Sequence, residues 1–410
     1  MVAEILSVGT ELLMGQIANT DAMYLSRRLS ELGISLYRHV TVGDNPGRVR
    51  EALRAALGRA DLVITTGGLG PTEDDLTKEM VAAELGLAME LHQPSLDQIA
   101  SFFSGIGRAM TPNNAKQAMM PAGAIVMPNA KGTAPGCIVE KDGKLVAVLP
   151  GPPYELIDMF EQQLEPFLRG RSDREMRSRF LHIVGIGESE VENRLIDLFH
   201  SDNPTLALYC SPGEVTARVT ASCSLGGDPS GMLDAVEREV RRRLGDALYG
   251  EGIEQSLPKV ALALLQQSGR TVALAESCTG GMLSSQLVDL PGASNALIEA
   301  HVVYANQAKV RVLGVPAELI EQYGAVSEQC AAAMAEGAKR ISGADCALST
   351  TGIAGPGGGT PEKPVGTVYI ALATDAGTQV KRLQLRSDRT RIRTLTCLHA
   401  WNLLRTYLAR

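Results

Sequence analysis

ALAESCTGG, Ala273 to Gly281, reads as a β-rich run that ends in a serine beside a glycine pair, with a helix expected from Gly281 to Leu290. A strand (IEAHVVYA) follows, then helices through Ile341, the strand ADCALST, a glycine-rich loop, two more strands and a last helix. With the helix Pro258 to Gln267 in front, residues 257–410 read as an α/β domain. Glycine permits a tight turn and close backbone approach to a ligand. The helix after it is expected to aim free N–H groups and its positive dipole end at the same place.

The turn supplies a nucleophile. Ser277 is a poor one until a base takes its proton, and Lys309 can serve if burial lowers its pKa. Tyr304, five residues earlier at a strand end, could relay a proton or orient the lysine. The bland alternatives are a helix cap for Ser277 and an exposed helix lysine for Lys309. Cys278 is a rival nucleophile, read here as a small buried residue beside the turn. The loop Ser349 to Gly359 could cradle a phosphate with its amides or be a mobile connection. It is no Walker A loop, since no Gly-Lys-Ser/Thr comes after it. Ser387 to Arg393 supplies arginines suited to a phosphate or carboxylate, with Arg391 read as surface charge.

A second signal lies far away. TTGGLGPTEDD, Thr65 to Asp75, places Gly67, Gly68 and Gly70 after the β-rich run DLVIT, with carboxylates just beyond. GTELLMGQIANTD, Gly9 to Asp21, comes after the first strand, so both loops belong at one sheet edge, where open α/β sheets bind ligands. The glycines suit a phosphate, and Asp75 with Asp44 could hold a divalent ion bridging its oxygens. The alternative is that the acids are first-turn helix carboxylates. Strands AEILSVG, ISLYRHVTV and DLVITTG alternate with helices Thr20 to Leu32 and Gly47 to Leu57, predicting a parallel sheet covered on both faces. A hairpin around Asp142-Gly143 and a closing helix, Tyr154 to Leu168, complete residues 1–170. Residues 171–250 read as a small α+β unit with an antiparallel sheet, and Glu251 to Ser256 as a linker.

Composition sets the outer limits. The chain has 410 residues, 45% hydrophobic and 21% charged, with a net charge of -7. That length predicts two or three domains. The acidic balance argues against direct nucleic-acid binding. No apolar run approaches about 18 residues, so no membrane span is expected. Seven scattered cysteines without a CxxC pair point to a reduced, cytoplasmic protein without structural zinc.

ALAESCTGG, VVYANQAKVRVLGV, YGAVSE, TTGIAGPGGGTPEKPVGTVY and SDR, in this order, resemble the C-terminal domain of the CinA family, which is similar to stand-alone nicotinamide mononucleotide (NMN) deamidases. The resemblance implies hydrolysis of the NMN carboxamide to nicotinate mononucleotide and ammonia, with no cofactor. It makes Ser277 the nucleophile and Lys309 its base, with Tyr304 assisting. It places Thr279, Gly280, Thr351, Gly352 and Gly355 around the substrate, with Arg389 on its phosphate. Where the family often has Gly-Asp-Arg, this chain has Ser387-Asp388-Arg389, which keeps the arginine.

GTELLMGQIANTD, TGGLGPTEDDLTKE, KGTAPG and LPGPPYE resemble the CinA N-terminal domain, related to molybdopterin-binding domains and thus to a three-layer α/β fold. This resemblance implies an ADP-ribose pyrophosphatase needing a divalent metal (magnesium, manganese or cobalt), with Asp44 and Asp75 as its ligands. The alternative is a non-catalytic nucleotide- or pterin-binding module in a competence or DNA-damage partner. The family places a KH-like fold in the middle segment, but no GxxG occurs there, so a spacer or dimerisation role is expected, in a homodimer.

Overall fold

A computed structural model describes residues 1–171, 174–224 and 226–409. The expected boundary at 170/171 abuts, and the expected last residue 410 falls on, positions outside the described residues. The chain divides into two compact units, Met1–Arg177 with Ala221–Ser230, and Ser178–Thr220 with Gly231–Arg410.

The first unit is built on a six-stranded sheet in the spatial order Ser35–Val42, Val2–Val8, Leu62–Thr66, Lys144–Leu149, Gly136–Lys141, Ile125–Met127. Side chains alternate faces along a strand. Ile5 and Ile64 therefore pack with Leu25, Leu29 and Phe160 on one side, while Leu6 and Val63 pack with Val49, Leu53 and Val81 on the other. That is the three-layer arrangement. The far half of the sheet is antiparallel, as the expected hairpin around Asp142-Gly143 requires. The first four strands are parallel, but Gly136–Lys141 runs antiparallel to Lys144–Leu149 and to Ile125–Met127. Asp142 at φ 51° and Gly143 at φ 74° form the two-residue turn, which joins only antiparallel neighbours. The closing helix runs Pro153–Met159, widens to a π-turn at Phe160–Leu164 and resumes at Glu165–Arg169.

In the second unit a five-stranded sheet runs Leu297–Val302, Val272–Glu276, Cys346–Gly352, Thr367–Thr374, Gly377–Gln384, the first three parallel and the last two antiparallel. Leu274 and Leu348 face Trp401 of the last helix, Arg389–Leu408, and Ala273 and Ala275 face Met334 of the helix Glu328–Ser342. The middle segment has a four-stranded sheet of its own, Thr205–Ser211, Glu214–Ser224, Arg174–Val184, Leu248–Glu251, of which residues 174–177 and 221–224 count with the first unit. The middle segment shares a core with the C-terminal α/β domain: Val184 and Tyr249 pack with Leu257, Leu262 and Trp401. Arg405 Nη2 also donates to the Asp246 carbonyl at 2.7 Å. No helix among the described residues is long and apolar enough to cross a membrane.

Strand register positions both sites. Glu276 lies opposite Thr350, so the chain leaves both strands at one edge. In the first unit Ser7 lies opposite Thr66, and Thr66 opposite Leu149, so the loops after these three strands share one edge.

Candidate functional sites

The strand Val272–Glu276 is buried throughout, and Ser277 N still donates to the Thr350 carbonyl at 2.9 Å. Gly280 (φ 60°) and Gly281 (φ 92°) then reverse the chain in the left-handed region that favours glycine. Glu276 fixes the turn. Its fully buried carboxylate accepts from the amides of Gly281 (2.9 Å), Leu283 (3.0 Å) and Ser284 (2.8 Å), and from the Ser284 hydroxyl (2.8 Å). This overturns one expectation. The N-terminal amides of the helix Met282–Val288 do not face a ligand, because Glu276 consumes them and offsets the helix dipole.

The turn brings Ser277 to Lys309. The lysine belongs to the helix Asn306–Leu313 and is 1% exposed. Its Nζ lies 3.0 Å from Ser277 Oγ, 2.9 Å from the Val303 carbonyl and 3.1 Å from the Tyr304 carbonyl. No carboxylate is among these partners, and burial lowers the ammonium pKa. A neutral amine has two N–H donors and one lone pair. Two carbonyls and one hydroxyl suit it, as they also suit the three donors of an ammonium, so burial without a carboxylate is what favours the neutral form, whose lone pair can then meet the serine hydroxyl. Neither bland reading describes these two residues: the cap of the following helix is Glu276, and Lys309 is not on the surface.

Ser277 and Lys309 open on a cavity of about 190 Å³, lined also by Cys278, Tyr304, Asn306, Thr351, Gly352 and Arg389. That volume takes a single ring rather than a whole nucleotide. Burial pushes the Cys278 thiol up to about 12, so it stays protonated at neutral pH. Tyr304 differs from its expected role. Its backbone carbonyl touches Lys309, but its exposed ring turns to the mouth, where Arg389 Nη2 donates to the phenol oxygen at 3.1 Å. Arg389 Nη1 donates to the Gly355 carbonyl at 2.9 Å, tying the glycine loop to the last helix. Thr351 donates its hydroxyl to the Ala325 carbonyl at 2.7 Å. A Cβ on Gly352 would meet Val368 at 2.6 Å, and one on Gly355 would meet Val365 at 2.7 Å.

Thr279 and Gly280 do not line the cavity. Thr279 is fully buried, its hydroxyl 2.7 Å from that of Thr350, and Arg393 Nη2 donates to its carbonyl at 2.6 Å. These residues shape the turn from behind. Sequence reasoning missed Glu276; the signal available was an acid ending an otherwise apolar run before two glycines.

The first unit carries a larger cavity of about 660 Å³ at its shared sheet edge. Gly67 and Gly68 have φ of 89° and 68°. A Cβ on Gly67 would lie 2.3 Å from the Val8 carbonyl, one on Gly68 2.2 Å from Thr77 Oγ1, and one on Gly70 2.3 Å from Asp75 Oδ2. The glycines are thus required by the loop's own packing as well as open to a ligand. Asp44 Oδ2 accepts from the Thr10 amide and hydroxyl, both at 2.9 Å. Asp75 Oδ2 accepts from the Thr72 amide at 3.0 Å and from its hydroxyl.

Glu11, Asp21, Asp44, Asp74, Asp75 and Glu155 line this cavity, and among the described residues no lysine, arginine or histidine does. An anionic ligand meets only carboxylates there unless cations accompany it. A hard divalent ion fits the oxygen donors Asp44 and Asp75. Among the described residues, no three His, Cys, Asp or Glu side chains are grouped to hold a metal by themselves.

The fold and sites define an α/β chain with a serine-lysine pair in one unit and a glycine-acid cavity in the other. Residues 4–170 match the probable molybdopterin binding domain, residues 178–250 the damage-inducible protein CinA KH domain, and residues 254–408 the CinA C-terminal domain. A CinA-like protein of Dictyoglomus thermophilum is 51% identical, covering 99% of this chain and 98% of its own, and one of Dictyoglomus turgidum is 49% identical over the same shares. The crystal structure of a competence/damage inducible protein from Agrobacterium tumefaciens is 36% identical, covering 39% of this chain and 99% of its own, with a TM-score of 0.37. The chain belongs to the CinA family.

Proposed function

We propose that the second unit hydrolyses the carboxamide of NMN to nicotinate mononucleotide and ammonia. The observation that carries this reading is the buried Lys309 Nζ 3.0 Å from Ser277 Oγ with no acid to hold its charge. Ser277 Oγ attacks the amide carbon while Lys309 takes its proton. The amide of Cys278, a residue that lines the cavity, bonds to no other described residue and is available to the oxyanion. The lysine then returns the proton to the leaving nitrogen, ammonia departs, and water cleaves the serine ester with Lys309 again as base. The small cavity suits the nicotinamide ring, leaving the phosphate at the mouth beside Arg389. Ammonia release from NMN without added metal, by the intact protein and by Ser277→Ala, tests this. Release by neither would remove the assignment.

In the first unit the reading is a metal-dependent cleavage of the ADP-ribose pyrophosphate. Asp44 and Asp75 would hold a divalent ion, which would neutralise phosphate charge in a cavity whose own side chains are acidic. The glycine loop Gly67 to Gly70 gives backbone access. A binding module without turnover is the second reading, favoured by the absence of a grouped metal triad among the described residues. Metal-dependent AMP release from ADP-ribose, lost in Asp75→Ala, separates the two.

A further inference from the structure

The five-stranded sheet of the second unit has two edges, and they differ. On one, Gly377–Gln384, Lys381 and Arg382 are exposed. Charged side chains, lysine above all, keep an edge strand from pairing with another chain. The other edge, Leu297–Val302, instead exposes Ile298 (47%), Ala300 and Val302 (52%). Its two charged groups, Glu299 and His301, lie between these and meet each other at 2.8 Å.

The backbone of this edge is open as well. Val303 N donates to the Glu276 carbonyl at 2.8 Å. Alternate residues of a strand turn their N–H and C=O to opposite sides. Glu299 and His301 therefore also face the strand Val272–Glu276, whereas Ala300 and Val302 face away from it, where no strand of the described residues lies. The register slips at Ile298, and Glu299 to Val302 is regular. The order Ile298-Glu299-Ala300-His301-Val302 is self-complementary when two copies run antiparallel about Ala300. The two Ala300 residues then exchange both backbone hydrogen bonds, each Glu299 lies opposite a His301, and each Ile298 opposite a Val302. A different partner would have to bring the same alternation of apolar groups and opposite charge; a second copy has it by symmetry.

We propose that the edge strand Leu297–Val302 pairs antiparallel with its counterpart in a second copy of this chain, joining two five-stranded sheets into one across a two-fold axis at Ala300. The contact lies in the C-terminal α/β domain rather than in the middle segment. The antiparallel direction sets the start of each strand beside Tyr304 of the other copy, at the mouth of that copy's serine-lysine cavity.

The test uses the full chain. Across such a pair the two Ala300 Cα atoms lie about 5.5 Å apart, within the range that a disulfide spans. Ala300→Cys should therefore form a disulfide-linked dimer under a mild oxidant, read on non-reducing gels. The unaltered chain, with its exposed Cys210, and Lys381→Cys on the opposite edge should not. Sedimentation over a concentration series reads the association itself. Val302→Lys places a lysine at each end of the contact, and Ala300→Pro removes an N–H that points only to the open edge. Each change acts twice across the axis and should raise the dissociation constant by about tenfold or more, with circular dichroism unchanged. An unaltered chain that stays monomeric throughout, Ala300→Cys that fails to cross-link, or dimers of unchanged affinity in both edge variants would each overturn the proposal.

Discussion

Replacing Asp21 with asparagine should make the first unit more stable at neutral pH. Asp21 lies in the first turn of its helix, where the dipole favours a negative charge. Burial nevertheless dominates and raises its pKa from 3.8 to about 6. Between those values the folded chain binds a proton that the unfolded chain does not. Stability is therefore lost as pH rises through this window, with the full deficit above about 6 and none below 3.8. A shift of about two units at about 1.4 kcal/mol each gives an upper bound near 3 kcal/mol. Asparagine removes the charge but buries an amide that needs its own partners, returning about 1–2 kcal/mol of that. The net gain is about 1–2 kcal/mol, or roughly 2–8 °C in Tm for a unit of this size. Calorimetry of the full chain at several pH values, with hydrogen exchange across Thr20–Glu31 to locate the effect, measures it. The gain should be present at pH 7 and vanish toward pH 4. A gain that persists at pH 4, or no gain at pH 7, would refute the reasoning.

Ser277→Ala should lower NMN deamidation by about a thousandfold or more, while Cys278→Ala stays within a few-fold, as steady-state ammonia assays will show. Lys309 should act unprotonated, so kcat/KM should rise with pH and level off below 10.5, the ordinary lysine value; Lys309→Met should abolish activity and remove that inflection from any residual rate. Glu276→Gln introduces a donor where three backbone N–H groups already donate, so it should lower kcat and destabilise the second unit by about 2–4 kcal/mol in denaturant titrations. Gly68→Ala forces a Cβ to 2.2 Å from Thr77 Oγ1 at a φ of 68°, and should lower the first unit's stability by about 2–4 kcal/mol without affecting deamidation.

How far a residue's role is legible in the sequence depends on what its chemistry requires. Alternating strand and helix patterns locate the main strands and several helices but not Thr77–Leu85 or Gln93–Gly105, and Asp142-Gly143 marks the antiparallel hairpin because its backbone conformation is restricted. Ser277 is legible because it comes just after a recognisable strand end, and Lys309 because it lies on the helix that follows the next strand. Tyr304 is the harder case. Its position next to the lysine is right, but a sequence cannot show that the backbone carbonyl makes the contact while the ring turns toward Arg389. Thr279 likewise sits in the motif but points into the wall. Asp21 lies in the first turn of its helix, and its sequence position does not show that the folded chain buries its carboxylate.

The two sites also differ in how complete they are. Among the described residues, no buried side-chain nitrogen or oxygen in 254–408 lacks a hydrogen-bond partner. Glu276, Thr279, Ser349 and Thr351 are all satisfied around a serine and lysine already at bonding distance. Such a site is organised before substrate arrives, and little reorganisation is needed at the chemical step. In the first unit the unsatisfied acceptors Asp21 Oδ1 and Gln117 Oε1 remain in the cavity wall. Their unmade bonds are a cost that the folded first unit carries. The serine-lysine turn holds its geometry through Glu276 with no ligand bound.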